Sequence, residues 1–552
     1  MKKKKILKGN SNFEYIVANG GYFVDKTMLV KEFLENADHV LLMPRPRRFG
    51  KTLNLSMIEH FFDVNKKESK ALFSEYKISA EKEFCEANQN IYPVINITLK
   101  SARGENWESC FGSLKKKVTE LYRRHKYLLK SDNLENYEQQ YVEKIILEKG
   151  TQSDYKFSLF NLSQYLNKHF GRKAIILLDE YDTPIITGFT KNYYDEIISF
   201  MQVFMGEAFK DNNYMRKGLI TGIMRIARES IFSELNNLGV YTVTNFRFSD
   251  MFGFTEKETK DALEYFELGK NFRDVQRWYN GYKFGNIDRI YNPWSIVSYL
   301  SRYEEGLKPY WINTGADPLI KERILETDID RTYDTLQKLI SGDTIEKELH
   351  EDFVFADFKT DRELLWTLLT FSGYLTQAGH IEEETYRLKI PNFEISRVFK
   401  NIIIKWLNAD IKVHKELLSK TLQHLTNNRI PEFEKGFKKI MGDTPKNRGR
   451  LFSYFDAKGE PENVYQAYVL GMLAIIGDDY IIRSNRESGE GRYDILLIPH
   501  DKKKYGIVME IKQLKKEGGQ PEKKMAGKIN SALSAAMEQI ENNKYYKELL
   551  DH

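Results

Sequence analysis

With 552 residues the chain is too long for a single hydrophobic core, and two to four domains are expected. A composition of 41% hydrophobic, 13% aromatic and 30% charged residues excludes a disordered chain and describes globular protein. A net charge of +5 over this length neither demands nor excludes a nucleic-acid partner, so any basic surface has to be found locally.

The chain opens MKKKKIL and continues at once into the polar stretch KGNSNFEY, which lacks the apolar centre of a secretory signal. No window approaches the ~18–20 uninterrupted apolar residues of a membrane span. The two cysteines, Cys85 and Cys110, suit a reducing compartment as plain thiols. Together these features lead to the expectation of a cytoplasmic protein with no membrane partner. Residues 27–36 (TMLVKEFLEN) read as an amphipathic helix capped by Thr27, and HVLLMPRP as a short buried strand ending in prolines. RPRRFGKT follows, then LNLSMIEHFFD with apolar residues at helical spacing, so the order is strand, loop, helix.

Residues 64–170 read as a charge-rich, mainly helical insertion, apart from the strand YPVINITL at 92–99. AIILLDE (174–180) and GLITGIM (218–224) are further short apolar runs with helical segments between them, the pattern of a parallel α/β sheet. WYNGYKFG (278–285) contains an Asn-Gly turn signal. The next stretch, 316–450, is mostly helical, and its helix-then-hairpin pattern (RELLWTLLTFSGYLTQAG, TYRLKIPNFEI) has the shape of a small winged-helix-like module. A polar, glycine-rich linker is expected over 441–463, then a helix, three strands (YIIRSN, RYDILLIP, YGIVMEIK) and a long helix over 524–549. The expected domains are 1–315, 316–450 and 451–552.

Gly50-Lys51-Thr52 ends a stretch that would match the phosphate-binding pattern G-x-x-x-x-G-K-[ST], except that Arg45 stands where the first glycine belongs. In such a loop, backbone N–H groups and a helix N-terminus surround the phosphates, a lysine neutralises charge, and the Thr hydroxyl holds Mg2+. Alone, GKT could equally be a basic surface turn. The second apolar run ends in Asp179 and Glu180, the acids needed to hold the metal through water and to orient an attacking water. The third run ends at Thr221, a polar sensor beside the γ-phosphate, with Arg225 beyond it as a charge-stabilising arginine or a surface ion-pair partner.

RPRRFGKT, preceded by YFVDKT and followed by LLDEYDTPI, TGIMRIARESIFSELNNL, FGFT, WYNGYKFG and YNPWSI, closely resembles the bacterial AAA-ATPase-like family that carries a PD-(D/E)XK nuclease domain at its C-terminus. The likeness runs from about residue 10 to 315, where Arg45 is the family's own form of the loop, and resumes in the last hundred residues. It implies an AAA-like parallel sheet, with Arg45, Arg48, Phe49, Gly50, Lys51 and Thr52 around the nucleotide.

Near the C-terminus, Glu510 and Lys512 are two apart and share one strand face, while Met509 and Ile511 take the other. A hairpin centred near 502 sets Asp494 opposite Glu510. Two acids that hold Mg2+, with a lysine beside them, form the set that phosphodiester cleavage requires, although E-x-K alone is common on solvated strands. The resemblance adds Glu462 as a helper in metal binding, Arg492 of the G-x-G-R-x-D pattern, and Gln539 of the final helix. Gln466 departs from the histidine that relatives often carry there. Lys502–504, 515, 516, 523 and 524 are either a basic rim for a polyanion or a solvated face.

The implied protein is a P-loop ATPase and Mg2+-dependent nuclease of α/β class, with ATP and Mg2+ (or Mn2+ at the nuclease site) as cofactors and nucleic acid, DNA foremost, as partner. A homo-oligomer is compatible with this. The alternative is a nucleotide-switched signalling or scaffold protein whose nuclease-like domain binds nucleic acid without cutting it.

Overall fold

The computed structural model describes residues 3–225, 238–311, 335–336, 338–340, 342–350, 357, 361, 363–399, 415–442, 469, 472–473, 476–477, 479–484, 487–488, 491–512 and 522–550. The chain divides into two compact units, Met1–Ile324 with Glu346–Ile395, and Leu325–Ile345 with Ser396–His552.

In the first unit five strands, β1 (Val40–Pro44), β2 (Val94–Thr98), β3 (Ala174–Asp179), β4 (Met215–Gly222) and β5 (Leu238–Val240), form one sheet in the order β2-β3-β4-β1-β5. Every neighbouring pair is parallel. A parallel sheet is covered on both faces, which is why VLLMP and AIILLD are continuous apolar runs and every residue of β1 and β3 is buried. On one face Leu41, Met43, Ile175, Leu177 and Leu219 pack with Leu55, Ile58 and Phe61 of helix Lys51–Phe62. Because all strands run the same way, Pro44, Thr98, Asp179 and Gly222 end on one edge, where ligands of such sheets bind. β4 lies between β1 and β3, with Met43 opposite Thr221 and Leu178 opposite Ile220, and so brings Thr221 beside Asp179.

Two local expectations change. Helix Met28–Glu35 forms, but the Thr27 side chain does not cap it. Asp25 instead accepts from the Thr27 N–H (2.9 Å) and hydroxyl (2.6 Å). The hairpin of β6 (Tyr282–Phe284) and β7 (Ile287–Ile290) turns at Gly285 and Asn286, after the Asn-Gly pair rather than at it. Gly281 has φ 121° and stands so close to Pro391 that a Cβ would lie 1.8 Å from its carbonyl oxygen. That glycine allows two backbones to meet.

Helix Leu364–Phe371 is followed by the hairpin β9 (Thr376–Glu382) and β10 (Thr385–Lys389), joined by β8 (Ile345–Glu348) in the order β8-β10-β9. The helix and hairpin stand where the sequence places them. Glu346–Ile395 group with the sheet unit, so the compact units differ from the three stretches read from sequence.

In the second unit β11 (Tyr480–Ser484), β14 (Ile495–Pro499) and β15 (Ile507–Met509) form an antiparallel sheet in the order β11-β14-β15, and β12 (Glu487–Ser488) and β13 (Gly491–Arg492) a short ribbon. Alternate residues of β14 enter different clusters. Ile495 and Leu497 pack with Leu418, Leu422 and Ile440 of helices Lys415–Thr426 and Ile430–Gly442. Leu496 and Ile498 pack with Tyr493, Tyr545, Ile540 and Leu549 around the C-terminal helix Glu522–Asn542. Residues 443–463 of the expected linker lie outside the described residues. Among the described residues no helix is long and apolar enough to cross a membrane.

Candidate functional sites on two sheets

The loop after β1 ends at Gly50, whose φ of 88° starts helix Lys51–Phe62 without a capping side chain. The helix therefore presents N–H groups at the sheet edge, a setting that favours an anion. Lys51 is buried there, and its ammonium donates to the carbonyls of Arg45 (2.8 Å) and Pro46 (3.1 Å). Burial lowers its pKa, and the charges of Glu180, Asp179 and Asp182 work against that shift. Asp179 gathers the elements: Oδ2 accepts from the Thr52 hydroxyl (2.7 Å) and Oδ1 from the Thr221 hydroxyl (2.6 Å). One carboxylate thus joins the loop helix, the acid strand and the strand between them. Glu180 follows with φ 53°, an uncommon backbone for a glutamate. Half-buried Arg225 lies just beyond β4.

Two expected ligands stand elsewhere. Arg45 is fully buried, and its guanidinium donates to the carbonyls of Pro44 (2.8 Å), Tyr241 (2.6 Å) and Phe248 (3.2 Å). Its charged end lies over the rings of Phe252 and Phe284, and burial pushes its pKa down to about 9. Arg45 therefore braces the loop from the core side and has no face open to a phosphate. Phe49 is buried against Tyr282 and Phe284, another brace. Arg48 is exposed, with φ 69° and its guanidinium 4.3 Å from the centre of the Trp294 ring.

The outer side of the loop is held by residues not singled out from sequence. Asn292 caps helix Pro293–Ser301 and also donates to the Arg47 carbonyl at 3.4 Å. The Trp311 indole N–H reaches the same carbonyl at 3.3 Å. YNPWSI contains Asn292 and Trp294, so the motif was visible while its contact with the loop was not.

In the second unit β14 and β15 pair Ile495 with Met509 and Leu496 with Val508. Continued by one residue, this register sets Asp494 against Glu510, as the spacing predicts, and Asp494 Oδ2 accepts from the Ile511 N–H at 2.7 Å. Asp494 and Glu510 have the parity of Leu496 and Val508, which places them on the C-terminal helix side. Lys512 bridges to that helix: its Nζ donates to Glu510 Oε1 (2.7 Å) and to Gln539 Oε1 (2.7 Å). The Gln539 amide donates in turn to the Tyr545 hydroxyl at 3.1 Å, which also accepts from Asn543 at 2.8 Å. Tyr545 was not read from sequence. A tyrosine six residues beyond the glutamine, across a turn, carries no periodic signal.

The Glu510 side chain is 3% exposed, and among the described residues its buried Oε2 has no hydrogen-bond partner. Burial raises its pKa, the hydrogen bond from Lys512 opposes that, and the neighbouring Asp494 charge adds to it. A buried, bare carboxylate oxygen beside a second carboxylate fits a cation. Among the described residues no set of three metal-ligating side chains converges. Within the described residues this position therefore offers two carboxylates, those of Asp494 and Glu510. Glu462 and the side chain of Arg492 lie outside the described residues, as do Lys515, Lys516 and the side chains of Lys523 and Lys524. Lys502–504 are exposed in the turn between β14 and β15, with Lys504 paired to Asp479 at 3.0 Å.

The two sites coincide with two family matches. Residues 8–232 match the model described as "Predicted AAA-ATPase", and residues 460–551 the model of the PD-(D/E)XK nuclease superfamily. A protein of Azotobacter chroococcum mcd 1, described as an uncharacterized protein in the vnfD 5′ region, is 24% identical over 507 residues, 90% of this chain and 88% of its own. Among solved structures, the Walker-type ATPase paby2304 of Pyrococcus abyssi aligns over 68% of this chain and 94% of its own, with 14% identity and a TM-score of 0.36. The chain thus carries a predicted AAA-ATPase domain over residues 8–232 and a PD-(D/E)XK nuclease-superfamily domain over residues 460–551.

Proposed function

We propose that this protein binds and hydrolyses ATP in its first unit and cleaves phosphodiester bonds of DNA in its second, with a divalent cation at each site. The observation that carries the nuclease reading is Glu510 Oε2, buried next to Asp494 and without a hydrogen-bond partner among the described residues. A cation bound there supplies charge neutralisation at the phosphate and acidifies a water. The chain's own part is to hold Asp494 and Glu510 on one sheet face and to keep the Lys512 ammonium beside them. There Lys512 stabilises negative charge on the phosphate oxygens, and Gln539 fixes its direction.

At the first site Lys51 would exchange the carbonyls of Arg45 and Pro46 for phosphate oxygens. Thr52 and Asp179 would hold Mg2+, Glu180 orient the attacking water, and Thr221 and Arg225 face the γ-phosphate. The hydroxyl–carboxylate hydrogen bonds that meet on Asp179 support this assignment.

A cleavage panel of DNA and RNA substrates with Mg2+ or Mn2+, with and without ATP, tests the reading on wild type, Lys51→Ala and Lys512→Ala. DNA cleavage is expected from wild type and lost by at least about a hundredfold in Lys512→Ala. In Lys51→Ala, only the ATP-dependent part should disappear. Equal traces of cleavage from wild type and Lys512→Ala on every substrate would reject the nuclease and leave a nucleotide-switched scaffold.

A further inference from the structure

Beyond Glu180 the chain continues with two fully buried polar side chains, Tyr181 and Asp182, that the scheme above leaves unused. Both act on one short turn, the segment after β4. Asp182 Oδ2 accepts from the N–H groups of Ile223 (2.6 Å) and Met224 (3.3 Å), and the Tyr181 hydroxyl donates to the Met224 carbonyl (2.8 Å). The fit is close: a Cβ on Gly222 would stand 2.8 Å from a Tyr181 ring carbon and 2.9 Å from the Asp182 carboxyl carbon. Only glycine lets the end of β4 slide beneath these side chains. Burial of Asp182 pushes its carboxyl up to about 6, so an ionised group here needs those N–H donors to offset its desolvation.

The same turn is tied on its other side. The Arg45 N–H donates to the Gly222 carbonyl at 3.0 Å, and the Tyr181 N–H to the Thr221 carbonyl at 3.2 Å. The end of β4 is therefore bonded both to the phosphate loop and to the acid segment, and Arg225 is the next residue out.

We propose that Tyr181 and Asp182 are positioning residues that clamp the turn Gly222–Arg225 to the acids Asp179 and Glu180, fixing where Arg225 stands and passing the occupancy of the nucleotide site to the end of β4. This rests on the nucleotide-site reading. On that reading Asp179 and Glu180 would meet the phosphates and the metal directly, whereas Tyr181 and Asp182 hydrogen-bond the turn and the Asp182 charge reaches Lys51 only through space.

Hydrogen exchange with and without Mg-ATP, combined with ATP binding and phosphate release, tests the clamp on full-length wild type, Asp182→Ala, Asp182→Asn and Tyr181→Phe. In wild type, Mg-ATP is expected to slow exchange in both the loop 45–52 and the turn 222–225. In Asp182→Ala the loop keeps its response and the turn loses it. Its kcat for phosphate release should fall about tenfold or more, the scale of one or two lost hydrogen bonds, while ATP affinity stays within about twofold. Asp182→Asn retains an acceptor and should recover most of the rate. Tyr181→Phe keeps the ring and should lose a few-fold, and it carries the test if Asp182→Ala does not fold.

A turn that still responds to Mg-ATP in Asp182→Ala as in wild type overturns the clamp. So does a variant that loses affinity in proportion to its rate. A wild-type loop that ignores Mg-ATP overturns the nucleotide-site reading itself, an outcome seen in a different segment and therefore distinguishable.

Discussion

Arg45 occupies the position where a phosphate-binding glycine is expected, yet its guanidinium points into the core and serves three main-chain carbonyls. A glycine at this point would let the loop approach the phosphates by having no side chain. An arginine keeps the loop in place by anchoring it from behind. The sequence showed the substitution, but the direction of the side chain depends on Tyr241 and Phe248, about two hundred residues later, and no local pattern encodes that. Arg45→Met should therefore lower unfolding free energy by about 2–4 kcal/mol, because three main-chain carbonyls lose this donor, in two buried hydrogen bonds and one part-buried. Arg45→Lys should recover only part of this, since an ammonium cannot fork to several carbonyls. Denaturant melts and ATP binding measured together check the claim: stability should fall more than affinity, and a pure loss of affinity would return Arg45 to the phosphates.

Between elements, the legible features were those set by period and spacing. The apolar runs identified β1, β3 and β4 with their closing residues, because a parallel sheet buried on both faces leaves no alternation to misread. The Asp494–Glu510 pairing followed from hairpin arithmetic. Long-range braces were not legible, among them Tyr545 on Gln539 and the grip of Asn292 and Trp311 on the loop. Behind that grip lies Glu394, which accepts from the Trp311 N–H at 2.6 Å and the Ser295 hydroxyl at 2.7 Å. Burial pushes its pKa from 4.5 up to about 7. Between these values the folded chain holds a proton that the unfolded chain releases. This contribution to stability is complete below the unfolded value and declines as pH rises through the folded one. Glu394→Gln can accept from the Trp311 N–H with its amide oxygen and donate its NH2 to the Ser295 oxygen, without ionising. Melts of both proteins from about pH 5 to about pH 8 should therefore show the variant gaining on wild type as pH rises. A constant difference would mean that Glu394 does not titrate in this window.

At the scale of the whole molecule, the chain is two compact units, each with one sheet edge or face that gathers acids and a lysine. The N-terminal candidate site was legible because each motif is contiguous and closes an apolar run, although the sheet order β3-β4-β1 departs from the order along the chain. The C-terminal site was legible as three residues, while Glu462 falls outside the described residues. Whether the second unit is a working metal site depends on the bare oxygen of Glu510. Calorimetric titration of Mn2+ into nucleotide-free protein addresses it most directly, with wild type, Glu510→Gln and Lys51→Ala compared. Wild type and Lys51→Ala should bind Mn2+ alike, and Glu510→Gln should bind at least about tenfold more weakly. Binding in Glu510→Gln equal to that of wild type, or no binding in wild type, would contradict the account.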